Sequence, residues 1–456
     1  DTTTLDILPA DVRFRVFPVT DEYAYIEYNG KSGYVYIRDF MQMEYKRGEV
    51  TPYVAFSDEP VSAYESPCYG AAALHEITPY APVIVNGYDG DHLTVDIEGQ
   101  TLYVEAGELT ILGEDFTVEP FDAKTNEKAV LYEYPLENAL QLADIKKNAP
   151  LTVTAFHGIY ARVTDGEHEG YLHYDKLKST NSTKAALAEL QKHMERIEAQ
   201  RFLNVALTMM DESNPVLLAY NENCGGSVSA RFKYGCPYLF AGSNESSLLR
   251  PRYASQDSHY YSTSKLYLGG FDCIGFARWV HNQVGMKKLP AISETRNAAK
   301  PNRIDMQDLP SAQWAQRMKV GDSINLAGQG GGYHVMIYIG TLRDFGFTAE
   351  QVGEQLAPYL DNPLTIHCGM NNYHTAWYTQ YLKDENLTSV TPPDGGVTIS
   401  ILGIPYDSVP NTETMWKGTS NVKTFYWFDL LGYNLTVINP DSEAFRWYSV
   451  YRNTEK

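Results

Sequence analysis

The sequence is poor in cysteine, in basic residues and in long apolar runs. Five cysteines among 456 residues, none in a CxxC pair, argue against a disulfide framework and against structural zinc, so no metal or other cofactor is expected. A formal charge of -20 without a basic run argues against nucleic acid or an anionic membrane as the main partner. No apolar stretch is long enough to cross a bilayer. No signal peptide is present either, although a chain that starts at Asp1 is compatible with a processed product.

The length and the tyrosine content point to several folded units. A chain of 456 residues exceeds what one hydrophobic core usually organises, and 43% hydrophobic with 21% charged residues is typical of folded protein. Tyrosine occurs 35 times, against 17 Phe and 6 Trp. Such amphipathic rings suit small β-modules and exposed binding surfaces, and ordinary β-rich packing explains most of them.

A strand-turn-strand pattern occurs three times near the start of the chain, at residues 25–35, 93–104 and 160–172. Asn29-Gly30 and Asp165-Gly166 favour hairpin turns, because these pairs tolerate positive φ angles. The regular spacing predicts three small β-barrels, at residues 1–50, 51–118 and 119–180. The alternative is a set of hairpins belonging to one larger β-domain.

A helical pattern follows the repeats, with apolar residues at near-heptad spacing. We expect a linker helix at 181–200 and, from 201 to 456, a mixed α+β unit in which glycine-rich loops alternate with compact apolar strands.

The segment around Cys273 is typical of a nucleophile. Gly269-Gly270 permits a sharp turn, Asp272 is suited to cap a helix, and Gly285 is suited to end it. In the first turn of that helix the dipole and the backbone N–H groups would favour a thiolate and hold an oxyanion, whereas the charge of Asp272 works against the thiolate. We expect the other four cysteines, Cys68, Cys224, Cys236 and Cys368, to be buried thiols.

Two histidines lie in predicted strands downstream of this cysteine. His334 alternates with Val335 and Ile337, and His367 alternates with Ile366 and Cys368, so each histidine projects from the face opposite the core. Each feature alone is more often structural than catalytic. The order of cysteine helix, first histidine strand and second histidine strand predicts a cysteine hydrolase.

These motifs resemble those of NlpC-type papain-like cell-wall cysteine peptidases. The family's nucleophile motif, DCSGF, is similar to Asp272–Phe276, its HVGIYIG strand is similar to 334–340, and its GxPYxWGG segment is similar to 235–242. The three β-repeats also resemble bacterial SH3-like modules, whose xNGKxGYV turn is similar to 28–35. The resemblance implies a multidomain chain of SH3-like barrels followed by an α+β papain-like domain, a γ-D-glutamyl-L-diamino acid endopeptidase that is secreted or in the cell envelope.

By this resemblance Cys273 is the nucleophile, His334 the general base and His367 the residue that orients it. Tyr238 would contribute its hydroxyl to the oxyanion site, and Asp272 would meet the free amine of an N-terminal L-Ala. The implied partners are peptidoglycan or muropeptides, cut by a monomer. The SH3-like modules would anchor the enzyme to the wall or shape one end of the cleft.

The sequence departs from this family at Ile274, where the family has serine, and in two long segments, 243–268 and 341–363, that would form walls or lids. His374 is a less favoured third catalytic residue. Two other interpretations stay open: a wall-binding protein that has lost activity, and an amidase or acyltransferase that uses the same thiol.

Overall fold

The computed structural model describes residues 15–18, 22–28, 31–36, 46–67, 71–242, 251–253, 265–296, 298, 302–329, 331–370, 372–417 and 422–454. The chain divides into two compact units, Asp1–His193 and Met194–Lys456. The hairpin turn predicted at Asn29-Gly30 lies outside the described residues. No helix in the described part of the chain is long and apolar enough to span a membrane.

The first unit is made of antiparallel sheets. In its described residues the strands are β1 Arg15–Pro18, β2 Tyr23–Tyr28, β3 Lys31–Tyr36, β4 Arg47–Phe56, β5 Val61–Tyr64, β6 Ala73–Ile77, β7 Val83–Asp89, β8 His92–Ile97, β9 Gln100–Glu105, β10 Thr110–Ile111, β11 Phe116–Lys124, β12 Ala129–Tyr132, β13 Gln141–Ile145, β14 Pro150–His157, β15 Tyr160–Thr164 and β16 Glu169–His173. They form three separate sheets.

The second and third sheets have the same strand order. One runs β10-β4-β7-β8-β9-β5-β6 and the other β11-β14-β15-β16-β12-β13, so the two orders agree once the short β10 is set aside. Their register shifts also correspond: Glu49/Tyr53 matches Thr117/Phe121, Ala63/Tyr64 matches Leu131/Tyr132, and Val85/Gly87 matches Val153/Ala155. The two segments therefore share a strand order and the positions of their register shifts.

Local turn chemistry explains two of the predicted hairpins. Glu98 and Gly99 both have positive φ, 53° and 79°, and join β8 to β9 in a two-residue turn. Between β15 and β16 the Asp165 carboxylate accepts the backbone N–H groups of Glu167 and His168, while Gly166 takes a φ of 96°. The second and third sheets each pack around an apolar core of their own.

The second unit combines helices with a long mixed sheet. The helices are α1 Asn181–Ala206, which begins in the first unit, α2 Pro215–Asn223, α3 Cys273–Gln283, α4 Ile292–Arg296, α5 Ala349–Leu356 and α6 Asn372–Asp384. Its strands are β17 Arg252–Tyr253, β18 Leu266–Tyr267, β19 Arg303–Ile304, β20 Ser323–Gly328, β21 Tyr333–Thr341, β22 Pro363–Met370, β23 Val390–Thr391, β24 Gly395–Leu402, β25 Asn411–Lys417, β26 Val422–Leu430, β27 Tyr433–Ile438 and β28 Phe445–Tyr451.

The long sheet runs β19-β28-β20-β21-β22-β24-β27-β26-β25 in the described residues. Helix α3 packs on β21 and β22 through Phe276 and Val280, which join the larger core cluster. A smaller cluster around Trp314 and Met336 covers β20, β21 and β28 from the other face. The middle strands are therefore buried on both faces, which explains their nearly continuous apolar sequence.

Candidate active site

Cys273 is the first residue of α3, as the sequence predicts. Asp272 precedes it in an extended conformation, and its Oδ1 accepts the backbone N–H of Gly275 at 2.7 Å, which caps the helix. The helix ends at Val284, and Gly285 follows with a φ of 75°. Local residue chemistry therefore fixes both ends of the helix that carries the thiol.

Close contacts between backbones hold the start of α3. A Cβ added at Gly275 would lie 2.0 Å from the carbonyl oxygen of Gly242, and one added at Gly270 would lie 2.0 Å from that of Pro237. The N–H of Asp272 donates to the same Gly242 oxygen at 2.9 Å. Because only glycine fits these contacts, segment 237–242 and the nucleophile turn are interlocked.

The surroundings of the thiol oppose its ionisation. Burial raises the pKa of Cys273 to about 12, with the negative charge of Asp272 as the second cause, while the backbone N–H groups of Val335, Ile274 and Cys273 itself act to lower it. The expected preference for thiolate is thus outweighed by burial. The contribution of the Val335 N–H places the sulfur at the beginning of β21, next to His334.

The two histidines are joined directly. His334 Nε2 lies 3.0 Å from His367 Nδ1, and the rings are nearly perpendicular, at 89°. A Cβ added at Gly369 would lie 3.0 Å from His367 Nδ1 and 3.5 Å from His334 Cε1, so glycine leaves room for both rings. The sequence therefore identified a pair that the fold brings together.

A buried row of hydrogen-bonded hydroxyl groups extends from His367. Its Nε2 lies 2.7 Å from Ser400 Oγ, which is hydrogen-bonded to Thr436 Oγ1, and the Thr436 hydroxyl donates to the Ile399 carbonyl at 3.0 Å. The side chains of His367, Ser400 and Thr436 are at most 5% exposed. The row is therefore shielded from bulk solvent.

Strand register produces this row. The antiparallel β22 and β24 pair Thr365 with Ser400, and the parallel β24 and β27 pair Ser400 with Thr436. Ser400 and Thr436 are not among the residues predicted from the sequence. The available signal was the alternation of hydroxyl and apolar residues in 397–401, but its partner strand lies far along the chain.

Tyr238 lies beside the nucleophile turn. Its backbone N–H donates to the Gly395 carbonyl at 2.8 Å, and it forms a parallel bridge to Phe271. Its ring belongs to the larger core cluster. The backbone of Tyr238 is therefore close to the site, and the oxyanion role of its hydroxyl stays a prediction.

The remaining candidates differ in their surroundings. His374 lies buried in α6, and burial lowers its pKa to about 3. Cys236 and Cys368 are buried as expected, whereas Cys224 is only half-buried, because it follows the last turn of α2 with its thiol donating to the Asp344 carbonyl. Cys68 lies outside the described residues.

The positions where the sequence departs from the family are partly visible. Ile274 is half-buried against the larger core cluster. Segment 341–363 folds into α5 and a short 3-10 helix, and it packs into that cluster through Val352 and Leu356. Most of segment 243–268 lies outside the described residues.

Comparisons with known proteins agree with the resemblance over part of the chain. Residues 235–383 match the NlpC/P60 family model, whereas no curated protein matches the chain. Among solved structures, NlpC2 from Trichomonas vaginalis is 15% identical over 71% of this chain and 90% of its own, with a TM-score of 0.20. NlpC1 from the same organism is also 15% identical, over 71% and 86% of the two chains, with a TM-score of 0.20. An NlpC/P60 family protein from Bacillus cereus is 17% identical over 69% and 90%, with a TM-score of 0.17.

Proteins of the NlpC/P60 family are generally cysteine peptidases or amidases that act on peptidoglycan. The matched segment contains the capped cysteine helix and both hydrogen-bonded histidines, whereas Ser400 and Thr436 lie beyond its end. Residues 235–383 of this chain therefore form an NlpC/P60 family domain.

Proposed function

We propose that this protein is a cysteine peptidase that hydrolyses the γ-D-glutamyl-diamino acid bond of peptidoglycan stem peptides. The observation that carries the proposal is the placement of three groups: Cys273 at a capped helix start with its thiol at the Val335 N–H, His334 one residue before Val335, and His367 bonded to His334 at 3.0 Å. A cysteine, a base and a group that orients the base are the parts that thiol acyl transfer requires.

The raised pKa of Cys273 shapes the mechanism. Because burial raises the pKa of Cys273, the thiol is favoured over the thiolate, and its proton leaves as the sulfur attacks the amide carbonyl. His334 receives that proton and then gives it to the departing amine as the C–N bond breaks. Water next attacks the thioester, His334 takes a proton from it, and the thiol is regenerated.

Two groups are suited to stabilise charge in this reaction. The backbone N–H of Cys273 lies at the helix N-terminus, where the dipole favours an oxyanion, and we assign the Tyr238 hydroxyl as a second donor. One carboxylate oxygen of Asp272 accepts the hydrogen bond that caps the helix. We assign its charge to the free amine of an N-terminal L-Ala, a contact in which an ammonium would also offset the burial of the carboxylate.

The β-rich first unit supports a role at the cell envelope. The repeated sheets are the kind of small module that accompanies wall enzymes, and we propose that they are SH3-like and bind wall material. We likewise propose a secreted or envelope location, where the peptidoglycan substrate is found, and a monomeric enzyme.

A defined peptide tests the reaction. The purified protein is incubated with L-Ala-γ-D-Glu-diamino acid, and L-Ala-D-Glu is followed by mass spectrometry. Product should form with wild type and with Cys224→Ala, a matched control at a cysteine of α2's C-terminal end, and should vanish with Cys273→Ala. Acetylation of the substrate amine should raise KM if Asp272 binds that amine.

Other outcomes identify the competing functions. Binding to purified wall without product from peptide or wall would replace the peptidase by a binding protein. Release of the stem peptide from glycan would indicate an amidase, and product joined to an added amine would indicate an acyltransferase. Each of these results contradicts the proposed reaction.

A further inference from the structure

The row of hydroxyl groups behind His367 has a direction. A carbonyl oxygen only accepts hydrogen bonds, so the single hydroxyl proton of Thr436 goes to the Ile399 oxygen at 3.0 Å. Thr436 Oγ1 must then accept from Ser400, whose own proton is thereby used. Ser400 Oγ can only accept in its 2.7 Å contact with His367, so His367 Nε2 carries a proton.

The protonation state of His367 sets that of His334, the proposed base. Burial lowers the pKa of His367 well below its ordinary value, and the neighbouring His334 and His374 lower it further, so His367 is neutral. A neutral imidazole protonated on Nε2 has a bare Nδ1. His367 Nδ1 therefore accepts from His334 Nε2 across 3.0 Å. The neutral His334 ring is then unprotonated on Nδ1.

We propose that Ser400 and Thr436 are positioning residues that set the tautomers of both histidines and so hold His334 Nδ1 ready to accept the Cys273 proton. The proposal rests on the cysteine peptidase function, because it assigns a base to that thiol. Both residues follow the segment that matches the family model, so the late strands β24 and β27 complete the site.

The structure also explains why the direction does not reverse. Reversal would require Ser400 to donate to His367 and Thr436 to donate to Ser400, which would leave the Ile399 carbonyl without the Thr436 proton. Reversal would also place the His367 proton on Nδ1, so His334 Nε2 would have to accept a hydrogen bond from it. The proton of the neutral His334 ring would then lie on Nδ1, and this nitrogen could not act as base. The direction that keeps the Thr436 proton on the Ile399 carbonyl is therefore the one that leaves His334 Nδ1 unprotonated.

Nitrogen NMR of histidine-labelled protein reads the tautomers without any substrate. With signals assigned from His334→Asn and His367→Asn, wild type should show protonated Nε2 and bare Nδ1 for His367, and the same for neutral His334. Ser400→Ala should remove the preference and give a mixture of tautomers at His367. A His367 proton on Nδ1 in wild type would overturn the proposal.

The reactivity of the thiol provides a second readout. The rate of Cys273 alkylation by iodoacetamide, resolved by peptide mass spectrometry, should fall about tenfold in Ser400→Ala, the effect of losing roughly one hydrogen bond. Thr436→Val should slow it as well, whereas Thr436→Ser, which keeps the hydroxyl, should restore the wild-type rate. Equal rates in the Val and Ser variants would refute the role of Thr436 even if Ser400→Ala does not fold.

These measurements separate the two proposals. If wild type shows the stated tautomers but cleaves no stem peptide, the proposed function is refuted. The proposed direction of the hydrogen-bond row would still hold. Cleavage by wild type, with unchanged tautomers and unchanged alkylation in Ser400→Ala, would defeat only the positioning role.

Discussion

Gly275→Ala tests whether backbone interlocking positions the nucleophile. The added Cβ would lie 2.0 Å from the Gly242 carbonyl oxygen and 3.0 Å from Asp272 Oδ1. Contacts between a Cβ and another heavy atom essentially never fall below 3.0 Å, so the start of α3 must move from segment 237–242 by about 1 Å, the difference of these two distances. The movement also disturbs the Asp272 cap, because the Gly275 N–H is its donor.

Two effects of different size should follow. Overpacking of a tight site costs about 1–3 kcal/mol of unfolding free energy. A displacement of about 1 Å in a reacting group can lower kcat/KM on the order of 100-fold. The activity loss should therefore persist at temperatures where the variant is fully folded.

The assay compares Gly275→Ala with Gly332→Ala. Gly332 lies just before β21, and a Cβ there would meet nothing within 4 Å, so this control should keep wild-type values. Thermal melting gives stability, and kcat/KM on the stem peptide, or Cys273 alkylation, gives the state of the site. Wild-type kcat/KM and melting temperature in Gly275→Ala would refute the interlocking argument.

Three further predictions concern charge. Burial lowers the pKa of His281 from 6.5 to about 4, so between these pH values His281 is protonated in the unfolded chain but not in the folded one. Stability should therefore fall as pH drops from about 6.5 to about 4, by roughly 3 kcal/mol, and His281→Leu should lack this part of the loss in urea titrations across that range. Arg452 donates two hydrogen bonds, of 2.6 and 2.8 Å, to the buried Asp322 carboxylate. Arg452→Met should therefore lower the free energy of unfolding, measured by chemical denaturation, by about 3–5 kcal/mol, and a concurrent Asp322→Asn should recover part of this loss. Asp272→Asn keeps a capping side chain and removes the charge that helps raise the Cys273 pKa, so alkylation at neutral pH should become faster; a slower rate would contradict the assignment of that charge.

The elements that carry the site were predictable because local chemistry specifies them. A glycine turn, an aspartate cap and a terminal glycine define the helix of Cys273. Alternation placed His334 and His367 on one sheet face, and the fold joins their rings. Features of this kind can be predicted from a few residues that are neighbours in the sequence.

The features that could not be predicted from the sequence depend on long-range packing. The helix dipole that favours a thiolate at Cys273 is visible from local sequence, whereas the burial that raises the pKa of this thiol depends on the whole fold. Ser400 and Thr436 come together only through the parallel pairing of β24 with β27. The hairpins of the first unit were likewise visible from their turns, whereas the pairing of β4 with β7 and of β11 with β14 was not.

The repeated strand order of the second and third sheets has a consequence for folding. Two segments with the same order and the same register shifts offer each strand a second acceptable partner, and exchange between such neighbours is a characteristic failure of repeat proteins. The meanders β7-β8-β9 and β14-β15-β16 form from adjacent hairpins, so they are safe from exchange. The pairings at risk are those at the meander edges: which meander β4 and β11 join, and which meander β5 and β12 join. Synthesis from the N-terminus lets β4 and β5 meet their own meander before β11 and β12 exist.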